Sequence, residues 1–293
     1  MLGKIIKLIG GNYTVLGEDL KKYVLKPLGI FRYKDLSPKV GDNVEFEPNV
    51  ITKISSRKND LTRPQIANVD QAILINAANR PLFSFDLLDR FLVLILKENI
   101  KPIIIVTKID LLEEAELNDL KEKLSYYEKY FKVFFYSKIT LENLDIIKDE
   151  LRGKVSVLAG QTGAGKSSLL NALNPELSLA TDDISKALGR GKHTTRHVEL
   201  IEYERGLIAD TPGFSKLEFN DLEKEDLKNY YPDFISLAEK CKYLGCNHVN
   251  EPKCEIKKEL ENGNILKSRY NNYLKIYQEL KDKKVIYGGK LWK

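Results

Sequence analysis

The chain has no apolar run approaching the ~18–20 residues that a membrane-spanning helix needs. Its first ten residues, Met1 to Gly10, hold a short apolar stretch broken by Lys4 and Lys7, and no cleavage-like site follows, which argues against a secretory signal. Cysteine is scarce. Three in 293 residues is an odd number that argues against a disulfide framework and for a reducing compartment. Internal repeats and low-complexity tracts are missing too. What remains, 43% hydrophobic and 30% charged, is the composition of a soluble globular protein long enough for two or three domains. The expectation is a cytoplasmic protein with no membrane partner.

Charge divides the chain into three. Residues 1–66 carry net +5, residues 67–230 net −5 and residues 231–293 again +5. Basic flanks around an acidic middle suggest that the flanks meet a polyanion, although a few extra lysines also serve solubility. Residues 4–55 read as five short strands (4–9, 13–16, 23–26, 43–46 and 51–54) separated by turn clusters such as Gly10-Gly11-Asn12. That pattern fits a partly open five-stranded barrel of the OB type, a common nucleic-acid-binding fold, with an SH3-like barrel as the alternative. A charged stretch, Ser55 to Gln65, reads as a linker.

From Val69 onward, buried-type strands (71–75, 102–106, 132–136, 155–159, 198–203 and 207–209) alternate with helical patterns (86–97, 113–130, 141–151 and 166–173). The alternation predicts a mostly parallel sheet with helices on both faces. After about residue 220 the pattern is helical, interrupted by a cysteine-rich loop.

Gly160-Gln161-Thr162-Gly163-Ala164-Gly165-Lys166-Ser167 matches the P-loop pattern, with a strand before it and a helix after it. Glycines let successive N–H groups turn inward on phosphates, and the helix start adds positive potential. Lys166 would meet the β/γ-phosphates, and the Ser167 hydroxyl would ligate Mg²⁺. The choice of base falls to Thr107-Lys108-Ile109-Asp110, where a strand-end aspartate can accept from the guanine N1–H and exocyclic amine. Asp110 could equally cap the helix that follows. Ser137-Lys138 resembles a second base-contacting loop. Downstream, Asp210-Thr211-Pro212-Gly213 offers a carboxylate to hold Mg²⁺ through water and the Gly213 N–H to sense a γ-phosphate. The polar segment Gly191–Arg196 suits a switch in which Thr194 or Thr195 completes the Mg²⁺ shell. Phe214 stands where Ras-like enzymes place a water-orienting glutamine, so His193, beside the switch threonines, is the candidate for that task.

The second constellation is Cys241-x4-Cys246-x-His248-x5-Cys254, which gathers all three cysteines within 14 residues. Three thiolates and one imidazole satisfy tetrahedral Zn²⁺ and leave no open position, so the site would be structural. The surrounding loop looks short of an apolar core. Buried free thiols are the alternative. The helix that follows, 265–281, carries Lys267, Arg269, Lys275, Tyr270, Tyr273 and Tyr277, either as an RNA-facing surface or as a solvated helix with an apolar seam.

These fragments resemble the TRAFAC-type GTPases, but with the guanine motifs at 107–110 and 137–138 ahead of the P-loop at 160. This circular permutation, the basic barrel in front and the Cys/His knot behind are similar to the RsgA (YjeQ) family of small-subunit-dependent ribosomal GTPases. The resemblance spans essentially the whole chain. It implies a multi-domain α/β protein: an OB-like RNA-binding barrel (1–66), a circularly permuted P-loop GTPase domain (67–230) and a helical zinc-binding domain (231–293). It assigns the phosphates to Gly160–Ser168, the base to Thr107–Asp110, the switches to Thr194/Thr195 and Asp210–Gly213, and water orientation to His193. It also implies the Cys-Cys-His-Cys zinc site, Mg²⁺ with GTP, and a monomer that binds the small ribosomal subunit and its rRNA during late maturation and leaves after GTP hydrolysis. The family pattern is broken at Thr107, where most GTPases have Asn. The rival readings are a nucleic-acid-binding regulator for which GTP, GDP or alarmone nucleotides are signalling ligands, and a P-loop phosphotransferase. No acceptor lid or catalytic carboxylate supports the phosphotransferase.

Overall fold

A computed structural model describes residues 1–33, 37–62, 64–174, 198–210, 219 and 221–283, together with the backbone of 286–287 and 290–291. The first five strands are β1 (Leu2–Ile9), β2 (Asn12–Gly17), β3 (Lys22–Pro27), β4 (Asn43–Glu47) and β5 (Val50–Ile54). They close a barrel in the order β1-β2-β3-β5-β4. Period-2 alternation selects its interior: Tyr13 and Val15 of β2, with Val44 and Phe46 of β4, are all buried. The charged stretch after the barrel is not a free linker. It forms a hairpin, β6 (Asp60–Thr62) and β7 (Gln65–Ala67). Arg57 just before it holds the fully buried Asp42 with two bonds, at 2.7 and 2.8 Å, and reaches Asp60 at 2.7 Å. A sequence reading scores these charges as solvated because their partners lie as much as fifteen residues apart.

The second body is a six-stranded sheet ordered β10-β9-β8-β11-β13-β12. Its strands are β8 (Gln71–Ala77), β9 (Lys101–Thr107), β10 (Lys132–Tyr136), β11 (Val155–Ala159), β12 (Ile201–Tyr203) and β13 (Gly206–Asp210). All pairs are parallel except β12 with β13. β8 is buried at every position, as a central parallel strand must be when helices cover both faces. Four helices flank the sheet: Phe85–Lys97, Glu114–Glu128, Leu144–Leu151 and Lys166–Leu173. Ser84 caps the first by accepting from the Leu87 N–H, and Glu113 with Glu116 forms a capping box on the second. The expected strand over 198–203 is shorter, because its first residues leave the sheet for the barrel. The Leu200 N–H donates to the Ile6 carbonyl at 2.9 Å, and Lys7 pairs with Glu199 at 2.8 Å.

The C-terminal part packs the helices Pro232–Ala238, Glu255–Glu261 and Lys267–Asp282 around Phe234, Tyr231 and Tyr273. Arg269, Tyr270 and Tyr273 are buried, which overturns the reading of those three residues as an RNA-facing surface. The cysteine-bearing loop does have an apolar core: Cys246 and Cys254 belong to the Phe234–Tyr273 cluster. No helix among the described residues is long and apolar enough to cross a membrane.

Candidate nucleotide site and cysteine–histidine centre

At the C-terminal edge of the parallel sheet, β11 runs into Gly160, the first residue of the P-loop. Gly160 has φ +129, and a Cβ there would stand 2.0 Å from the Ile75 carbonyl oxygen, so only glycine passes this point. The loop ends at Gly165, in the left-handed region, and the eight-residue helix Lys166–Leu173 begins. Lys166 donates to the Gly160 and Gln161 carbonyls at 2.9 and 2.8 Å, which folds its ammonium over the loop. Ser167 and Ser168 follow in the first turn, where N–H groups and the helix dipole favour an anion.

The end of β9 is joined to this loop. The Thr107 hydroxyl, 2% exposed, donates to the Ala164 carbonyl at 2.5 Å and weakly to the Asn76 carbonyl at 3.4 Å. Lys108 adopts φ +58 and its ammonium bonds the Gly163 carbonyl at 2.7 Å and the Arg80 carbonyl. Thus Thr107 and Lys108 brace the phosphate loop instead of standing apart from it. Asp110 lies in a short 3-10 turn, Ile109–Leu111, and accepts from the buried Ser137 hydroxyl at 2.7 Å. The N-cap of the next helix is Glu113, so Asp110 does not serve as its cap. Ser137 also accepts from the Ile139 N–H at 3.1 Å, and Lys138 is exposed beside it. The structure therefore brings 107–110, 137–138 and 160–168 to one edge of the sheet. His193, Thr194, Thr195 and Gly213 lie outside the described residues, as does the Asp210 side chain; the Asp210 backbone ends β13 beside β11.

The second centre is built from Cys241, Cys246, His248 and Cys254, whose ligand atoms all lie within 4.8 Å of one another. His248 Nδ1 is 3.4 Å from Cys254 Sγ and 3.6 Å from Cys241 Sγ, the separation expected of donors about 2.0–2.3 Å from a shared tetrahedral ion. The Glu255 N–H donates to Cys241 Sγ at 3.4 Å. Burial lowers the His248 pKa to about 4, with Lys228 adding to the effect, and so keeps the imidazole neutral as a ligand must be. Its other nitrogen, Nε2, is buried with no protein partner among the described residues. Glu251 accepts from the Asn247 and Val249 N–H groups, and Tyr270 and Tyr273 donate to the His248 and Asn247 carbonyls. A loop anchored this way by backbone bonds presents four donors inward. The donor set fits a closed metal site of zinc type.

Comparison with known proteins follows the same outline. The family model described as RsgA GTPase matches residues 54–220, and that of the RsgA N-terminal domain matches residues 2–53. The chain belongs to the RsgA GTPase family. It is 48% identical over 291 residues to the small ribosomal subunit biogenesis GTPase RsgA 2 of Oceanobacillus iheyensis, covering 97% of this chain and 99% of that one. The figures are the same for the corresponding RsgA of Geobacillus kaustophilus. Among solved structures it is similar to YjeQ from Thermotoga maritima, with TM-score 0.86 and 37% identity over 96% of this chain and 99% of the other. It also resembles YloQ, described as a circularly permuted GTPase, with TM-score 0.83 and 40% identity over 98% and 96%.

As an RsgA GTPase the chain is a GTP-hydrolysing enzyme, and one structural feature beside its G domain escaped sequence reasoning. Arg269, fully buried, is held by Asp233 through two bonds of 2.9 Å and by Asp89 at 2.5 Å. Tyr126 and Tyr127 donate to Asp233 and Asp89, and Asn272 donates to Asp89. Burial pushes the Asp89 carboxyl up, and the Arg269 charge and the Asn272 and Tyr127 donors oppose that shift. The network locks the last long helix onto Phe85–Lys97 of the RsgA G domain. A lone aspartate four residues before Val93, inside Leu87-Leu88-Asp89-Arg90-Phe91-Leu92, was the available signal.

Proposed function

We propose that this chain hydrolyses GTP to GDP and phosphate during biogenesis of the small ribosomal subunit, binding the subunit and its rRNA. What supports this is the 48% identity to small-subunit biogenesis GTPases over 97% of the chain, which takes in both basic flanks as well as the G domain. The parts divide as an OB-like barrel (1–66), a permuted G domain (67–230) and a zinc-bearing helical domain (231–293).

Gly160, Gln161, Thr162, Gly163, Ala164, Gly165, Lys166, Ser167 and Ser168 hold the phosphates through their N–H groups and the Lys166 charge. Thr107, Lys108, Ile109 and Asp110 take the base, supported by Ser137 and Lys138. Asp110 accepts from guanine, Ser137 orients Asp110, and Thr107 positions the phosphate loop against the base motif. Ser167, with Thr194 or Thr195 and Asp210, would hold Mg²⁺, which offsets charge on the phosphates during transfer. Gly213 senses the γ-phosphate and His193 orients the attacking water. Cys241, Cys246, His248 and Cys254 hold one structural Zn²⁺. The protein acts as a cytoplasmic monomer, where small subunits mature.

Phosphate release from GTP at multiple turnover, with and without purified small subunits, tests the reading. Slow release alone and marked stimulation by the subunit are expected. GTP binding without release would favour a regulator that uses the nucleotide as a signal, and release indifferent to the subunit would remove the ribosomal half of the assignment.

A further inference from the structure

β8 is followed by the turn Asn79-Arg80-Pro81, which no part of the nucleotide reading uses. This turn is pinned from three sides. The Ala78 N–H donates to the Thr107 carbonyl at 2.8 Å, the Phe83 N–H closes back on the Ala78 carbonyl at 3.3 Å, and the Lys108 ammonium bonds the Arg80 carbonyl. The same ammonium bonds the Gly163 carbonyl at 2.7 Å, so the Arg80 and Gly163 peptides lie side by side across one lysine. On that side Pro81 Cδ comes within 3.8 Å of the position a Gly163 Cβ would take.

Arg80 itself has φ +51, a left-handed backbone that disfavours a long side chain by roughly 1 kcal/mol relative to Gly or Asn. An observed outlier of this kind is a reason to look for a task. The guanidinium is exposed and meets no carboxylate among the described residues. Among the described arginines, Arg57, Arg90, Arg152 and Arg269 are ion-paired; Arg205, in the turn between β12 and β13, shares the positive φ and the exposure of Arg80, and what sets Arg80 apart is its place beside Gly163. An arginine side chain extends about 6 Å from its Cα to the guanidinium carbon. From a backbone adjoining Gly163, that reach covers the mouth of the loop formed by Gly163, Ala164, Gly165 and Lys166, where the nucleotide reading puts the diphosphate.

We propose that Arg80 is a further phosphate-contacting residue, supplied from the turn after β8, whose guanidinium pairs with the diphosphate of the bound guanine nucleotide. The proposal rests on the nucleotide reading above. A planar, always-charged fork suits bidentate contact with phosphate oxygens. Because GDP and GTP share the diphosphate, Arg80 contributes to binding both and discriminates them little. Guanosine lacks the diphosphate, so a contact of this kind leaves its binding unchanged.

The test uses the full chain with Mg²⁺, titrated with fluorescent GDP and GTP and with unlabelled guanosine as competitor. Arg80→Asn removes the charge but keeps a residue that tolerates the left-handed backbone, and Arg80→Lys keeps a charge. The expected result is that Arg80→Asn weakens GDP and GTP about tenfold each, Arg80→Lys recovers part of that loss, and guanosine binds parent and variants alike. The salt dependence of GDP affinity should also be shallower in Arg80→Asn. Unchanged GDP and GTP affinity in Arg80→Asn overturns the proposal, whether or not the variant then loses small-subunit binding. An equal loss for guanosine also overturns it, since that marks collapse of the turn. A parent chain that binds neither GDP nor GTP overturns the nucleotide reading and Arg80 with it.

Discussion

The Thr107 hydroxyl and the Ala164 carbonyl meet at 2.5 Å, and through this bond the strand that carries the base motif holds the middle of the phosphate loop. Gly165 leaves room for it, since a Cβ there would stand 3.3 Å from Thr107 Oγ1. Thr107→Val keeps the shape and removes the donor, which leaves a buried carbonyl unpaired at a cost of about 1–3 kcal/mol. GDP affinity should fall by roughly tenfold, and Thr107→Ser should stay near the parent. Equal GDP affinities for Val and Thr at 107 would show that the bond does not support the loop.

Asp110 is held by Ser137 at 2.7 Å, so the base selectivity proposed for Asp110 would depend on both residues. Asp110→Asn should weaken GTP and favour a xanthine nucleotide, whose C2 carbonyl can accept from the new amide. Ser137→Ala should weaken GTP more modestly without changing the preferred base. Competition among GTP, ATP and XTP reads both effects, and parity of ATP with GTP in the parent would refute the role of Asp110.

Arg269 sits between two carboxylates, and all three groups are buried. Arg269→Met strands Asp89 and Asp233 in the interior, at about 3–5 kcal/mol. Hydrogen exchange should then rise in Lys267–Asp282 and along the Asp89 face of Phe85–Lys97. Arg269→Lys should rescue little, because an ammonium cannot span both partners in the same fork geometry. Unaltered protection in Arg269→Met would mean that apolar packing alone docks the helix.

Freshly purified protein should contain about one zinc per chain. Cys246→Ala, or removal of the metal by a chelator, should loosen the cluster around Phe234 and Tyr273 while GDP binding persists, since the G domain has its own core. Elemental analysis without zinc, or unchanged proteolysis after chelation, would count against the site.

His193→Ala should still bind GTP and the small subunit yet lose most of the subunit-stimulated turnover, because Phe214 has no donor or acceptor for the attacking water. Single-turnover hydrolysis on the subunit, compared between parent and variant, decides the matter. Equal rates would exclude His193.

The sequence by itself determined whatever depends on local pattern. Alternating burial made the barrel strands legible, continuous apolar runs marked the central sheet, and glycine spacing between a strand and a helix located residues 160–167. The order of the motifs displayed the permutation, and four donors within 14 residues marked the candidate metal site. Tertiary structure alone decided what depends on groups far apart in the chain. Arg57 reads as surface charge until Asp42 is placed beside it, and Arg269 reads as an RNA contact until Asp89, 180 residues away, is buried against it. Thr107 reads as a departure from the guanine motif until the fold carries Ala164 to its hydroxyl. The reason is physical. Hydrogen-bonded turns and amphipathic faces are set by neighbours in sequence, whereas a buried charge or donor takes its meaning from the partner that folding delivers.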